Sequence, residues 1–410
     1  MRHLVSRRSA LTTLGTLGLA AVAGCASGSA SSAMARSSVP GAPSPGGSGG
    51  SSGSPPAARN ALGVNINSDA GTSDLADMAA VSAPWLRAFY PMGDADQGNV
   101  AGQPVISELL EARAKGYGAA LSLMFPYAGQ PIPAPGSTAM AAARRRLTAV
   151  LDAVMGKVDI LVVGNEPFIE CRAQDRDSTA INVFYETLAK RVISYRSQHG
   201  ATSTTSLYMG ALNHLDEPAW RTAATERWMS FVRATPGLDG TDMHPHLATP
   251  AAGQDYIDYV VPRLRPDQTF LATEFSLVLL FKAHLGDTAP GQFTGRYGLP
   301  AGTPVWQVLG DAFKSPFSQQ KWNDFLDMSP WFASHREFLY NQVTKFRATG
   351  RLAVAFYGLS QGKSMAARPF GPQSTPWILN SLFCPYTIQK QANGQPGETI
   401  AWVNEFRALQ

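Results

Sequence analysis

The sequence predicts an α/β chain folded as a closed (β/α)₈ TIM barrel, and three observations carry that expectation. Short apolar runs alternate with longer segments of helical periodicity, the alternation repeats eight times from Ala61 onward, and polar side chains gather where the apolar runs stop. An open doubly wound sheet is the competing architecture. It calls for a glycine-rich phosphate turn after the first strand, and NINSDAGTSD is not one.

The strands expected are ALGVNIN (61–67), PWLRAFYP (84–91), GAALSLMF (118–125) and VDILVVGN (158–165), followed by TSLYMGAL (205–212), LDGTDMHP (238–245), TFLATEFS (269–276) and RLAVAFYG (351–358). Amphipathic segments between them, such as VISELLEARAKG (105–116) and INVFYETLAKRVISYR (181–196), supply the helices. Between the seventh and eighth strands, residues 277–329 are too many for a plain strand-to-helix loop and form an insertion. It holds Phe281, Phe293, Tyr297, Trp306, Phe313, Phe317, Trp322 and Phe325, which read either as a small satellite core or as one wall or lid of a groove. Trp85 and Trp377 read as packing.

At 410 residues, 44% hydrophobic and 16% charged, the chain can bury one large core. Its formal charge of +4 sits at the start: residues 1–60 hold five arginines and no acid, which leaves the remainder at about −1. No basic patch or nucleic-acid-binding signature accompanies that total, so nucleic acid is not an expected partner.

Residues 1–25 have a positive start, an apolar run from Ala10 to Ala23 and small residues before Cys25, the layout of a secretory signal, and the run is too short and too rich in Gly and Thr to span a membrane. Val22, Ala23, Gly24 and Cys25 resemble a bacterial lipobox, and Ser6-Arg7-Arg8 resembles a twin-arginine signal. An ordinary cleaved signal with Cys25 there by chance is the plainer alternative. Residues 26–60 are almost wholly Ala, Ser, Gly and Pro and predict a disordered linker, a tether holding the catalytic domain (61–410) on the order of 30 Å from a lipid surface. The expectation is an exported protein, lipid-anchored at Cys25 in the bacterial cell envelope. Export also permits a disulfide between Cys171 and Cys384, or leaves both thiols free.

Chemistry in a barrel of this kind sits at the C-terminal ends of the strands. The polar residues there are Asn65, Asn67, Arg87, Asn165, Glu166, Asn213, His214, Asp242, His244, His246, Glu274 and Tyr357. Glu166 in VVGNEP and Glu274 in FLATEF each interrupt an apolar strand at its exit, 108 residues and three strand-helix units apart, which places them across one barrel mouth. Glycoside hydrolysis needs such a pair, one carboxyl to protonate the leaving oxygen and one to attack the anomeric carbon.

With Asn165-Glu166-Pro167 after the fourth strand and Glu274 at the end of the seventh, the chain from Ala61 onward resembles the clan A retaining glycoside hydrolases. That resemblance implies Glu166 as acid/base, Glu274 as nucleophile, Asn165 on the sugar's 2-hydroxyl, Arg87 keeping the nucleophile ionised and His244 beside the substrate. His246 stands where many relatives have a tyrosine, and the eighth strand ends in Phe356, Tyr357 and Gly358 rather than a tryptophan. Asn213, His246 and Tyr357 are counted with the substrate-binding residues. Glu166 is expected to start protonated, raised by burial and by the charge of Glu274, and then to act as base on water.

Each key residue also has a plainer use. Glu166 can serve the amides of a helix start, and Glu274 can be half of a structural ion pair with Arg87. Asp242, His244 and His246 fall on one side of a strand end and could share a metal, but hydrogen bonding to substrate and nucleophile explains them without an ion. No Cys or His spacing suggests structural zinc, and the mechanism needs no cofactor. The resulting expectation is a retaining, endo-acting β-glycanase on an extracellular or envelope polysaccharide. An exo-β-glycosidase and a catalytically silent carbohydrate-binding lipoprotein are the alternatives.

Overall fold

A computed structural model describes residues 57–67, 75–202, 204–362 and 369–410. The predicted signal, Cys25 and most of the linker lie outside the described residues.

Eight parallel strands close into one barrel in chain order. They are β1 (Ala61–Asn67), β2 (Trp85–Pro91), β3 (Gly118–Met124), β4 (Ile160–Val163), β5 (Ser206–Leu212), β6 (Gly240–Met243), β7 (Thr269–Ala272) and β8 (Leu352–Gln361). β8 pairs back onto β1, with Ala61 opposite Val354 and Asn65 opposite Gly358. Every apolar run predicted as a strand is one. Three of them stop early: β4 ends at Val163, β6 at Met243 and β7 at Ala272, because the residues that follow leave the ladder to turn their side chains into the mouth.

Alternation along the strands sorts side chains into two cores. Trp85, Ala120, Ile160, Val162, Tyr208, Leu271 and Phe356 pack together inside the barrel. Trp85 fills the floor because its neighbours yield space: a Cβ on Gly63 or Gly118 would collide with its side chain. The opposite faces pack against the surrounding helices. The helix Thr138–Val154, for example, buries Met140, Ala143, Leu147, Val150, Leu151 and Val154 at helical spacing, and Ser137 caps it by accepting from the Met140 amide at 3.1 Å. No helix among the described residues is long and apolar enough to cross a membrane.

The insertion folds into four short helices between Val278 and Met328. Its aromatics form a satellite core: Phe293 packs on Tyr297 and Phe325, Trp322 on Phe325, and Phe281 on Trp331 and Phe332. Being consumed by each other, these buried rings do not wall a groove.

Cys171 and Cys384 are both buried and unbonded, so the disulfide is not formed. The reason is placement: Cys171 follows β4, with its sulfur 3.7 Å from the Phe168 carbonyl, and Cys384 follows β8, with its sulfur 3.6 Å from the Ile378 carbonyl. Three strands lie between β4 and β8 on either side of the ring, so the two cysteines follow strands on opposite sides of the barrel, whereas a bridge tolerates a Cα spacing of only about 7 Å.

Candidate active site

Two residues above the barrel floor, Arg87 continues the inward face begun by Trp85 and is fully buried. Its guanidinium spends its donors on four partners from four places in the fold. Nε reaches Ser122 Oγ at 3.1 Å, Nη1 reaches Asn65 Oδ1 at 3.0 Å and Glu274 Oε1 at 2.6 Å, and Nη2 reaches Asn165 Oδ1 at 2.5 Å. A planar fork of donors suits this task better than a point charge.

The turn after β4 is built around Gly164, whose φ of +117° lies in the region that favours glycine, and where a Cβ would strike the Gly210 carbonyl. That turn swings Asn165 and Glu166 over the mouth. A helical turn follows, with the amides of Ile169 and Glu170 donating to the Glu166 carbonyl at 2.9 and 2.8 Å. Glu170 thereby comes back beneath Asn165, whose Nδ2 donates to Glu170 Oε1 at 2.8 Å. The Asn165 amide is gripped at both ends, by Arg87 on its oxygen and Glu170 on its nitrogen.

Glu166 Oε1 accepts from Asn213 Nδ2 at 2.7 Å and lies 3.0 Å from His244 Nδ1. On its other side His244 Nε2 meets Thr273 Oγ1 at 2.7 Å, and Thr273 donates through its amide and its hydroxyl to Asp242. Asp242 is thus wholly buried behind the site and supports His244 through Thr273. His246 is held by Ser276 Oγ at its Nδ1, 2.8 Å away, and directs Nε2 towards Glu274 Oε2 at 3.6 Å and Glu166 Oε1 at 3.9 Å. One donor atom each from Glu166, His244, His246 and Glu274 fall within 4.8 Å of one another.

The structure therefore assembles Arg87, Asn165, Glu166, Asn213, His244, His246 and Glu274 in one place. Tyr357 does not join them. On β8 the inward parity belongs to Val354, Phe356 and Gly358, so Tyr357 points outward and packs against Phe275 and Trp402. The aromatic at the mouth is Trp377, read above as packing. It starts a short 3₁₀ turn after β8 and sets its half-buried ring edge-on to His246, centroids 4.9 Å apart. Glu170, Ser122, Thr273 and Ser276 were also missed. Only Glu170, an acid four residues after Glu166 in NEPFIE, left a signal in the sequence.

Burial pushes the Glu274 carboxyl up, but the charges of His244 and Arg87 and the His246 hydrogen bond outweigh it and hold the group well below the usual range. Glu166 departs from expectation. Burial and the Glu274 charge do push it up, yet the hydrogen bond and charge of His244 prevail and it lies below its ordinary value. His244 loses to burial but gains more from Glu274, Asp242 and Glu166, and rises to about 10. At neutral pH the proton of the Glu166–His244 pair accordingly rests on the imidazole. Glu170, desolvated and beside Glu166, is raised to about 7, and its buried Oε2 makes no hydrogen bond that would stabilise the anion.

These shifts make stability depend on pH with a definite sign. The raised groups, Glu170 and Glu405 at about 7 and His244 at about 10, contribute fully below their ordinary values of 4.5, 4.5 and 6.5, and the contribution fades as pH climbs through the folded values. The lowered carboxyls Glu166 and Glu274 contribute above 4.5 and lose it on acidification. The melting temperature is expected to peak near pH 5 and to fall toward pH 8. Calorimetric scans across that range test this, and in Glu170→Gln the decline between pH 4.5 and 7 should shrink.

No protein-family model and no curated protein matches the chain. Solved structures similar to it include a psychrophilic glycoside hydrolase family 10 endo-beta-1,4-xylanase, at 15% identity and a TM-score of 0.45, covering 85% of this chain and 96% of that one. Another is the Penicillium canescens endo-1,4-beta-xylanase XylE, at 13% identity and a TM-score of 0.48, covering 86% and 95%. A third is ScGas2 in complex with a compound, at 9% identity and a TM-score of 0.43, covering 85% and 62%. What the site can do follows from the chain's own side chains.

Proposed function

We propose that the protein is a retaining glycoside hydrolase, an endo-acting β-glycanase. The observation that carries this reading is the pair Glu166 and Glu274, which face each other across the mouth with carboxylate oxygens within 4.8 Å. Retaining enzymes hold their carboxyls about 5–5.5 Å apart, while inverting ones leave about 6.5–9.5 Å for a water. In the first step Glu274 attacks the anomeric carbon and forms a glycosyl ester as the glycosidic bond breaks. The Glu166–His244 pair gives one proton to the departing oxygen. In the second, the pair takes a proton from water as that water displaces Glu274. Arg87 keeps Glu274 anionic between turnovers, and Asn165, whose Nδ2 gives one hydrogen to Glu170, has its second for the sugar.

A silent carbohydrate-binding barrel would favour glutamates sealed into salt bridges and shut off from substrate. Glu166 and Glu274 are paired with His244 and Arg87, but their side chains remain 22% and 17% exposed, open to the mouth. The deciding experiment measures new reducing ends from β-glucans, mannans, xylans and galactans. The first-formed anomer is then followed by proton NMR: retention supports the reading, and inversion or no release on any polymer overturns it.

Two further outcomes follow. His244→Asn removes the partner that stores the proton, so the alkaline limb of the pH–rate profile should move to lower pH. Trp377 offers a ring face beside His246 on which a sugar can stack. Trp377→Ala should raise KM roughly five- to tenfold, about 1 kcal/mol, with kcat little changed.

The signal-like start and the Ala/Ser/Gly/Pro tether support export and lipid attachment at Cys25 in the bacterial envelope. Mass spectrometry of the mature N-terminus tests this: an unmodified terminus, or one beyond Cys25, removes the anchor.

A further inference from the structure

The mouth of the barrel also has the dimensions and donor chemistry of a transition-metal site. Around a tetrahedral zinc ion, with ligand atoms about 2.0–2.1 Å from the metal, neighbouring ligand atoms stand roughly 3.4 Å apart. His244 Nδ1 lies 3.0 Å from Glu166 Oε1, His246 Nε2 lies 3.6 Å from Glu274 Oε2 and 3.9 Å from Glu166 Oε1, and all four residues offer a donor atom within 4.8 Å of the others. Two carboxylates balance the charge of a divalent cation. His246 Nε2 and Glu274 Oε2 face each other at 3.6 Å within the cluster.

Support behind these ligands is of the kind that metal sites use. His246 is oriented by Ser276 through its other nitrogen, His244 by Thr273 and through it by Asp242, Glu274 by Arg87 and Glu166 by Asn213. Each ligand side chain is thus oriented towards the cluster before any ion arrives. Imidazole nitrogens select a borderline metal over Mg²⁺ or Ca²⁺, which prefer all-oxygen cages.

We propose that Glu166, His244, His246 and Glu274 bind a Zn²⁺-class divalent cation in place of substrate, making the site reversibly inhibited by metal. The proton between His244 and Glu166 leaves to solvent as the ion enters. Inhibition rests on the hydrolase reading above, but binding does not, and the two are measured separately.

Isothermal titration of the purified full-length chain with ZnCl₂ should show one ion per chain, with no comparable heat from MgCl₂ or CaCl₂. His246→Ala should weaken zinc binding about 100-fold or more, and Ser276→Ala, which leaves all four ligands in place, about 10-fold. Titration with CoCl₂ gives a second readout that needs no variant: a tetrahedral site develops strong visible absorption and an octahedral one does not. In the reducing-end assay, zinc should compete with polysaccharide and EDTA should restore release. Absence of saturable zinc binding, binding that persists unchanged in a folded His246→Ala variant, or only weak octahedral cobalt absorption would overturn the proposal. If no polysaccharide is cleaved at all, the hydrolase reading fails while calorimetry still decides the metal site.

Discussion

Glu274→Gln is expected to lower kcat by about four orders of magnitude or more on every substrate the parent cleaves, because the amide can neither attack the anomeric carbon nor form the glycosyl ester. The fold should survive. Glutamine keeps an oxygen for the Arg87 hydrogen bond, and the change removes one of three carboxylates, Glu166, Asp242 and Glu274, that surround a single imidazole. Glu166→Gln should be as damaging on polysaccharide but behave differently on an aryl glycoside whose phenolate leaves without protonation. There its first step recovers and the glycosyl-enzyme accumulates as a burst, since the second step still lacks its base. Intact-mass spectrometry that finds the sugar on Glu166→Gln but never on Glu274→Gln would fix which carboxylate does which job. The opposite pattern would exchange the two assignments.

Arg87 carries the second large effect. Replacing it with Met leaves Glu274 beside Glu166 without its closest cation, and removes the donors that position Asn65, Ser122 and Asn165. Breaking a buried ion pair from one side costs about 3–5 kcal/mol, so the melting temperature should fall clearly. Activity should drop at least about a hundredfold, since the nucleophile's carboxyl would rise towards protonation at the working pH. Arg87→Lys separates the two effects. It restores a charge but not the fork, and should recover part of the stability and little of the activity. Thermal scans and kcat/KM on the same preparations check both. Equal recovery of stability and activity in the lysine variant would mean that charge alone, not orientation, is what Arg87 supplies.

Much of the fold was legible because most barrel strands are short apolar runs with Gly, Pro or Asn at or just beyond their ends, and those stops are local chemistry. Glu166 and Glu274 were legible for the same reason: a carboxylate directly after a buried apolar run is costly and so conspicuous. Tyr357 was misplaced by one position of strand parity. Phe356 lies within the barrel, and counting by twos from it would have put Tyr357 on the outer face. Trp377 comes from a proline-flanked segment without periodicity, so its arrival beside His246 is a tertiary event that no local pattern announces. The location of the proton was out of reach for a similar reason. It depends on how Asp242, Glu166 and Glu274 crowd His244, which is a matter of distances between three strand ends.

Arg87's enclosure has a consequence for the surroundings in which the protein can work. Mobile ions weaken exposed charge pairs over a Debye length of about 8 Å at physiological ionic strength, but they reach a pair only through solvent. With none of its side chain exposed, Arg87 is closed to them, and the charge that steadies Glu274 is insulated from the medium. Changes in the salt content of the medium should therefore leave the Arg87–Glu274 pair largely unaffected. The site's central charge balance is set by covalent structure rather than by the composition of the water around it.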